Sequence, residues 1–497
     1  MIDKEKLSSL IKEIEGYARG FGLDFFPVIF EVLDWEEINM VASYGGFPSR
    51  YPHWRFGMQY EYMGKSYGYG LHKIYEMVIN NNPCYAYLLG SNQMVDQKLV
   101  IGHVYAHCDF FKNNAYFANT NRKMIDGMAN HGNRIQGFAD RLGFDAVEEF
   151  VDICSSIDNL IDPKALFEDE HTSRTNMEEP VAEALVTKLK SKSYMDPYIN
   201  PPEYLELKKE ELRQAREKAV SFPPRPVKDV LMFLIEYAPL PDWKRDILSM
   251  IREEAYYFAP QGMTKIMNEG WAVYWHEKIM TQKAMDSSEL IDFADHHSGT
   301  LAVQPGQLNP YKLGYELFKD IEYRWDTGKF GKDYDECSDL REKARWNTDA
   351  GLGREKIFQV RSIYNDMTFI DDFLTPDFVR DQMLYTYGYN DKTRLHEIRD
   401  RDVRAIKDNL LVSLTNMGQP YISVVDGNFE NRGGLLLKHR FDGVELRLDY
   451  ARDTLQNIYH IWTRPVHIQT VVDEKPTLLT FDGENHRERI MSEENTA

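Results

Sequence analysis

The stretch Gln97-Lys-Leu-Val-Ile-Gly-His103-Val-Tyr-Ala-His107-Cys-Asp109-Phe-Phe-Lys-Asn-Asn114 constrains the fold most, because it reads as an apolar helix carrying two histidines four residues apart. On a 3.6-residue period both imidazoles share one stripe, one turn apart, which is how a helix offers two nitrogen ligands to one metal ion. The residue after the first histidine is Val104, where a zinc peptidase with the His-Glu-x-x-His pattern carries its general base. Two ligands are therefore in place, and the usual catalyst is not. Histidines at this spacing also arise by chance in apolar helices, where hydrogen bonds can satisfy them, so a structural polar cluster stands beside the metal reading.

A second stretch, Gly262-Met-Thr-Lys-Ile-Met-Asn268-Glu269-Gly-Trp-Ala-Val-Tyr-Trp275-His276-Glu277, supplies a third ligand. A glutamate from a second helix added to a histidine pair makes the His2Glu set of catalytic zinc sites, which leaves a fourth position for water. Glu269 is the better ligand, since His276 shares its helix face two turns away, about 10 Å along the axis. His276 is expected beside the metal, touching a ligand or the substrate. The cofactor expected is a divalent transition metal with zinc as first choice; iron and manganese accept the same donors. Asp109 lies about 200° around the helix from His107 and is read as structural, whereas Asn114 continues the histidine stripe. Candidate bases are therefore sought elsewhere: Glu254 on the preceding helix, His297 in a loop-like Asp295–Thr300 stretch, and His276 itself.

Composition narrows the classes. A chain of 497 residues with net charge -20 can bury a substantial core and is a poor partner for nucleic acid or anionic membranes. No run approaches the roughly 20 apolar residues of a membrane span, and the charged amphipathic N-terminus lacks the features of a secretory signal. The four cysteines, Cys84, Cys108, Cys154 and Cys337, form no Cys-x-x-Cys pair. They mark neither a disulfide framework nor a cysteine zinc site, and the cytoplasm is the expected compartment. Nucleophile-elbow, phosphate-loop and dinucleotide fingerprints are absent from any suitable strand-turn-helix context.

The expected fold class is α+β: a mainly helical, gluzincin-like metal-site core with a small C-terminal α+β domain. Four segments are expected. Residues 1–160 hold an amphipathic helix over 4–20, an aromatic region of irregular backbone over 44–69, a helix over 71–80, a strand at Cys84–Leu89 and the two-histidine helix. An edge strand before the active helix is an order that zinc peptidases use. Residues 161–221 form a charged helical excursion or linker. Residues 222–404 carry three helices near 227–237, 242–258 and 263–283, parted by Pro239-Leu-Pro241 and Pro260-Gln-Gly262. Residues 405–497 hold strands at 421–425, 435–438 and 444–448 with turns at Asp426-Gly427 and Asp442-Gly443, a helix over 450–462, a hairpin around Asp473–Pro476 and a frayed tail from Asp482.

These residues carry a resemblance. Gly20-Phe-Gly-Leu-Asp-Phe-Phe-Pro27, His53-Trp-Arg-Phe-Gly57, the His103–Asn114 stretch and Lys265-Ile-Met-Asn-Glu-Gly-Trp-Ala272 followed by Trp275-His276 resemble the stage V sporulation protein R (SpoVR-like) family. The resemblance implies a bacterial protein involved in formation of the spore cortex, the modified peptidoglycan of endospores, or in stationary-phase or stress responses of non-sporulating species. It implies no established reaction. Glu269-Gly-Trp-Ala-Val-Tyr also looks like the glutamate-ligand helix of some gluzincin-type metallopeptidases, which favours a metal-dependent hydrolase of amide or peptide bonds. The alternative is a nonenzymatic scaffold or regulator that recruits a protein or peptide partner through its C-terminal domain or charged excursion.

Overall fold

The computed structural model of the protein describes residues 4–68, 77–167, 222–303, 307–390 and 393–491. In chain order the elements used below are α1 (Lys4–Gly20), β1 (Val28–Leu33), α2 (Trp35–Ser43), α3 (Trp54–Gly68), β2 (Met77–Ile79), β3 (Cys84–Leu89), α4 (Met94–Asn113), α5 (Met124–Leu142), α6 (Phe144–Ser155), α7 (Val230–Tyr237), α8 (Asp242–Met263) and α9 (Lys265–Ile279). They continue with α10 (Leu290–Thr300), α11 (Pro310–Thr327), α12 (Gly353–Ile363), α13 (Asp366–Phe373), α14 (Pro376–Asp381), β4 (Thr386–Asn390), β5 (Leu395–Asp400) and α15 (Val403–Leu414). The last are β6 (Ile422–Phe429), β7 (Gly434–His439), α16 (Leu448–Trp462), β8 (Val466–Val472), β9 (Lys475–Phe481) and β10 (His486–Ile490). The chain is mainly helical with a small C-terminal sheet, an α+β composition. Two compact units divide it: residues 1–148 with 256–419, and residues 149–255 with 420–497.

The first unit is built around two helices with no exposed face. Every residue of α4 from Val95 to Phe111 is buried, and α9 is buried at nearly every position from Ile266 to Ile279. A helix apolar all round belongs in the middle of a helical layer, and α4 and α9 lie against each other there, with α1 on α4 and α11 on α9. Glycine makes the second contact close. A Cβ added at Gly314 would sit 2.0 Å from the Ile266 carbonyl oxygen, and one added at Gly270 would sit 2.3 Å from the Gly314 carbonyl carbon. Where α4 crosses α9, Gly102 faces the His276 backbone, with a Cβ position 3.7 Å from its Cα.

Beside these helices lies a three-stranded sheet in the order β1-β3-β2. The expected strand at Cys84–Leu89 is central, not an edge: it pairs parallel with β1 and antiparallel with β2. Its nearly continuous burial follows from that place. The expected helix over 71–80 is a strand where it is described, since Met77–Ile79 pairs with β3; residues 71–76 lie outside the described residues. Pro260 does not break its helix, because α8 runs from Asp242 through to Met263. The aromatic region forms a helix from Trp54 rather than irregular backbone, with Tyr51 and Phe56 buried and Tyr62 exposed. The charged excursion lies outside the described residues from position 168 to 221.

In the second unit, the five-stranded sheet runs β10-β9-β8-β7-β6, with β7 and β8 parallel and the other pairs antiparallel. A parallel pair needs a crossover, and α16 supplies it between β7 and β8, burying Leu455, Ile458, Ile461 and Trp462. The hairpin around Asp473–Pro476 forms as the sequence suggests. Asp426-Gly427 does not turn the chain: β6 continues through it with a bulge, and the turn falls at Glu430–Gly433, where Glu430, Asn431 and Gly433 adopt positive φ. The 444–448 run is no strand but leads into α16, and His486–Ile490, expected to fray, pairs with β9 as an edge strand.

Two substitutions test the packing. Gly314→Ala should destabilise the protein by about 1–3 kcal/mol, because a backbone oxygen of the neighbouring helix cannot swing aside. Gly137→Ala, inside α5 with no atom within 4 Å of the new Cβ, should instead stabilise by roughly 0.5–1 kcal/mol. Urea unfolding reads both. The sheet makes a pH prediction: burial lowers the pKa values of His439 and His467, which are hydrogen-bonded to Thr470 (2.9 Å) and Thr480 (2.8 Å). The unfolded chain then binds protons more readily, so this stability is complete above about pH 6.5 and is lost as pH falls through the depressed folded values. Protection factors of amides in β7 and β8, with the intrinsic exchange rate divided out, should fall from pH 7.5 to 5, less so in His439→Gln and His467→Gln.

Candidate metal centre

The stripe on α4 and the first turns of α9 meet. His103 Nε2 lies 3.6 Å and His107 Nε2 3.5 Å from the same oxygen, Glu269 Oε2. Ligand atoms from all three residues fall within 4.8 Å of one another. These separations are too long for good hydrogen bonds but suit the edges of a coordination tetrahedron, about 3.4 Å when each ligand lies about 2.0–2.1 Å from the ion. The residues fit a metal in a second respect. Glu269 Oε2 is buried and accepts no hydrogen bond, a costly state for a carboxylate oxygen unless a cation faces it. The structure brings together the three residues that the sequence names, the histidine pair by its spacing and Glu269 by the His2Glu donor set.

The outer faces of the imidazoles are held by side chains of α9. His107 Nδ1 lies 2.9 Å from Asn268 Oδ1, so with this amide orientation Nδ1 carries the proton and Nε2 keeps its lone pair toward the site. His103 Nδ1 lies 2.8 Å from His276 Nδ1, and His276 Nε2 lies 3.3 Å from His297 Nδ1. With His103 Nε2 unprotonated toward the site, one tautomer set satisfies the row: His103 donates to His276, and His276 donates to His297. His276 is fully enclosed, and burial, reinforced by His103, His297 and His107, holds its pKa well below the usual histidine value. It is a neutral imidazole touching a ligand, the position expected for it. His297 is half-buried on α10, with its pKa also lowered, chiefly by burial and next by Lys319. The stretch around it is helical, not a loop: the Asp286/Glu289 capping box starts the 3₁₀ turn Ser287–Glu289 that leads into α10, and buried Phe293 anchors the helix.

Glu254 is buried on α8 in the part of that helix assigned to the second compact unit, and it is not among the three converging ligands. Val104 is fully buried in the hydrophobic core, so the usual base position is occupied by packing. Asp109 is structural as expected. Its carboxylate accepts the Trp271 Nε1–H (2.9 Å) and the Asp24 N–H (2.8 Å), and Arg361 lies 3.4 Å away. Burial raises its pKa to about 6 despite these partners. Asn114 does not extend the metal stripe: it ends α4, donating to the Arg361 and Tyr364 carbonyls.

Two supports escaped sequence reasoning. Asn268 adjoins Glu269, but nothing in the spacing marks it as a partner of His107. Asp366 begins α13 and is 100 residues from Ile266, yet its two oxygens accept the Ile266 (2.8 Å) and Met267 (2.9 Å) amides and cap the first turn of α9. Burial raises its pKa to about 7, with the Glu269 charge contributing further.

Comparison with known proteins identifies two successive matching segments. Residues 2–419 match the family model described as SpoVR like protein, and residues 420–473 match the SpoVR-like C-terminal domain. The chain is 28% identical over 484 residues to Uncharacterized protein YcgB of Escherichia coli (strain K12), covering 92% of this chain and 90% of that protein. No solved structure matches.

Removing the cap tests the placement of Glu269. Asp366→Ala strips the acceptor from two buried amides and should cost about 1–3 kcal/mol. Exchange of the Ile266 and Met267 amides should rise more than that of amides in α5. Uniform acceleration through both helices would instead indicate a global loss.

Proposed function

The chain belongs to the SpoVR-like family, and we propose that this member is a metal-dependent hydrolase of an amide or peptide bond, with His103, His107 and Glu269 holding a divalent transition metal, zinc by preference. The observation that carries the reading is the convergence of two imidazole nitrogens on one buried carboxylate oxygen that has no hydrogen bond. A bound ion would supply Lewis acidity, making water acidic and a carbonyl electrophilic. The protein's own part is orientation and proton handling. Asn268 and His276 fix the tautomers of the ligand imidazoles, and His276 and His297, which continue the row from His103, are two of the three candidate bases, His297 being the more open to solvent. Glu254 is the third candidate base.

We further propose a cytoplasmic role in spore cortex formation, or in stationary-phase and stress responses where no spore is made, which is what membership of the SpoVR-like family suggests. No described helix is long and apolar enough to cross a membrane. A second reading is favoured by buried Val104: with no base at the usual position, the same three ligands would tie α4 to α9 in a nonenzymatic scaffold or regulator that binds a protein or peptide partner.

Metal analysis of untagged protein tests the site. About one equivalent is expected, lost in His103→Ala, His107→Ala and Glu269→Ala while the circular dichroism of the fold persists. Metal-free wild type that is folded and active in cells overturns the reading. Base substitutions then separate hydrolase from scaffold: His297→Gln, His276→Gln and Glu254→Gln should include one variant that loses cellular function with Tm unchanged. His276→Gln should also weaken metal binding by about 10–100-fold. Retained function in all three, with metal and stability retained, leaves the scaffold.

A further inference from the structure

The ribbon of β4 and β5 is a sheet by itself within the first unit, because its two strands pair only with each other. A two-stranded ribbon has two open edges, and β5 presents the barer one: all six of its residues, Leu395 to Asp400, are exposed. Among the described residues, no main-chain hydrogen bond of β5 runs to anything but β4. Such an edge is a template for another strand, and soluble proteins commonly blunt it with proline, lysine or a bulge. β5 contains neither proline nor lysine, and the irregularity of the ribbon lies on β4, between Thr386 and Tyr387.

The order of charges along β5 selects the partner. Its sequence is Leu395-His-Glu-Ile-Arg-Asp400, in which Glu397 and Arg399 flank Ile398 and are flanked in turn by His396 and Asp400. When two copies of β5 pair antiparallel about Ile398, Glu397 of each faces Arg399 of the other, and His396 faces Asp400. Side chains directly opposite each other have Cβ atoms about 4.5–5.5 Å apart, where opposite charges stabilise and like charges repel. Neighbouring registers lose the match. A slip of one residue sets Glu397 opposite Ile398 or Asp400, and a slip of two sets Glu397 or Arg399 opposite its own copy. Parallel pairing in register opposes like charges throughout. Both ions are available for the contact. Arg399 is exposed and makes no ion pair among the described residues, its side chain lying over Gly388 of β4. Glu397 accepts hydrogen bonds from Asn390 (2.9 Å) and Thr393 (2.8 Å), which lower its pKa and keep it ionised.

We propose that β5 is a self-association edge: two copies of this chain join antiparallel about Ile398 into a four-stranded sheet β4-β5-β5-β4, with a Glu397–Arg399 pair on each side of the two-fold axis, independently of the metal centre. Six residues from each copy, against roughly 20–30 in a standard interface, make this a weak and reversible dimer, with Kd on the order of 10–100 µM. Sedimentation equilibrium of the full-length protein from about 5 to about 500 µM should show it. Glu397→Arg and Arg399→Glu each oppose like charges and should weaken association at least tenfold. An equimolar mixture of these two variants restores both opposite pairs and should dimerise as wild type does, as should the double swap Glu397→Arg/Arg399→Glu by itself. This recovery distinguishes a lost contact from a damaged ribbon. Ile398→Cys, made with Cys337→Ser to remove the one partly exposed native thiol, should cross-link into a disulfide dimer on air oxidation, since residues paired across the axis have Cα atoms about 4.5–5.5 Å apart. Leu395→Cys in the same background should not. Wild type that stays monomeric throughout, single swaps that associate like wild type, a mixture that does not recover, or equal cross-linking at positions 395 and 398 overturns the proposal.

Discussion

The backbone contact between Gly270 and Gly314 sets the geometry of the first unit. Glu269 precedes one of these glycines, so its carboxylate is aimed by a helix that can neither rise nor rotate without driving its main chain into α11. Side chains can adjust by rotamer changes, but two backbones in contact cannot. The opposite side of α9 is fixed just as firmly by the Trp271 indole donating to Asp109 of α4. The ligand triangle is thus framed by a glycine contact on one side and a buried polar tie on the other.

The cost of the arrangement is visible in its ionisable groups. Asp109 and Asp366 are both enclosed and both titrate well above ordinary aspartates, because burial outweighs the amide, indole and guanidinium groups that face them. Neither points an oxygen at the ligand triangle. They are structural acceptors that hold helix ends and crossings. His276 solves the same problem differently, by staying neutral.

Local periodicity carried the sequence reading as far as it could. His103 and His107 were legible because four-residue spacing on a helix is a geometric statement, and Glu269 because the His2Glu donor set requires a carboxylate from a second helix. The row His103–His276–His297 was legible only in part, since contacts across 173 residues leave no periodic trace. Asp366 was invisible for the same reason. Errors clustered where a turn signal met a stronger tertiary demand: Pro260 stays inside α8, and Asp426-Gly427 stays inside β6 because the strand bulges instead of turning. Met77–Ile79 reads equally as helix or strand until β3 is present to pair with it.

The two halves of the first unit are interrupted in the chain by residues 149–255. During synthesis α4 leaves the ribosome long before α9 exists, since Asn268 follows His107 by 161 residues. At about 5–20 residues per second the nascent chain waits roughly 8–30 s with an apolar helix that no later element yet covers. Throughout that interval the histidine pair lacks the carboxylate that completes the set. The elements already made by then, α1 and the β1-β3 pair, are the ones on which α4 can pack before its last ligand arrives.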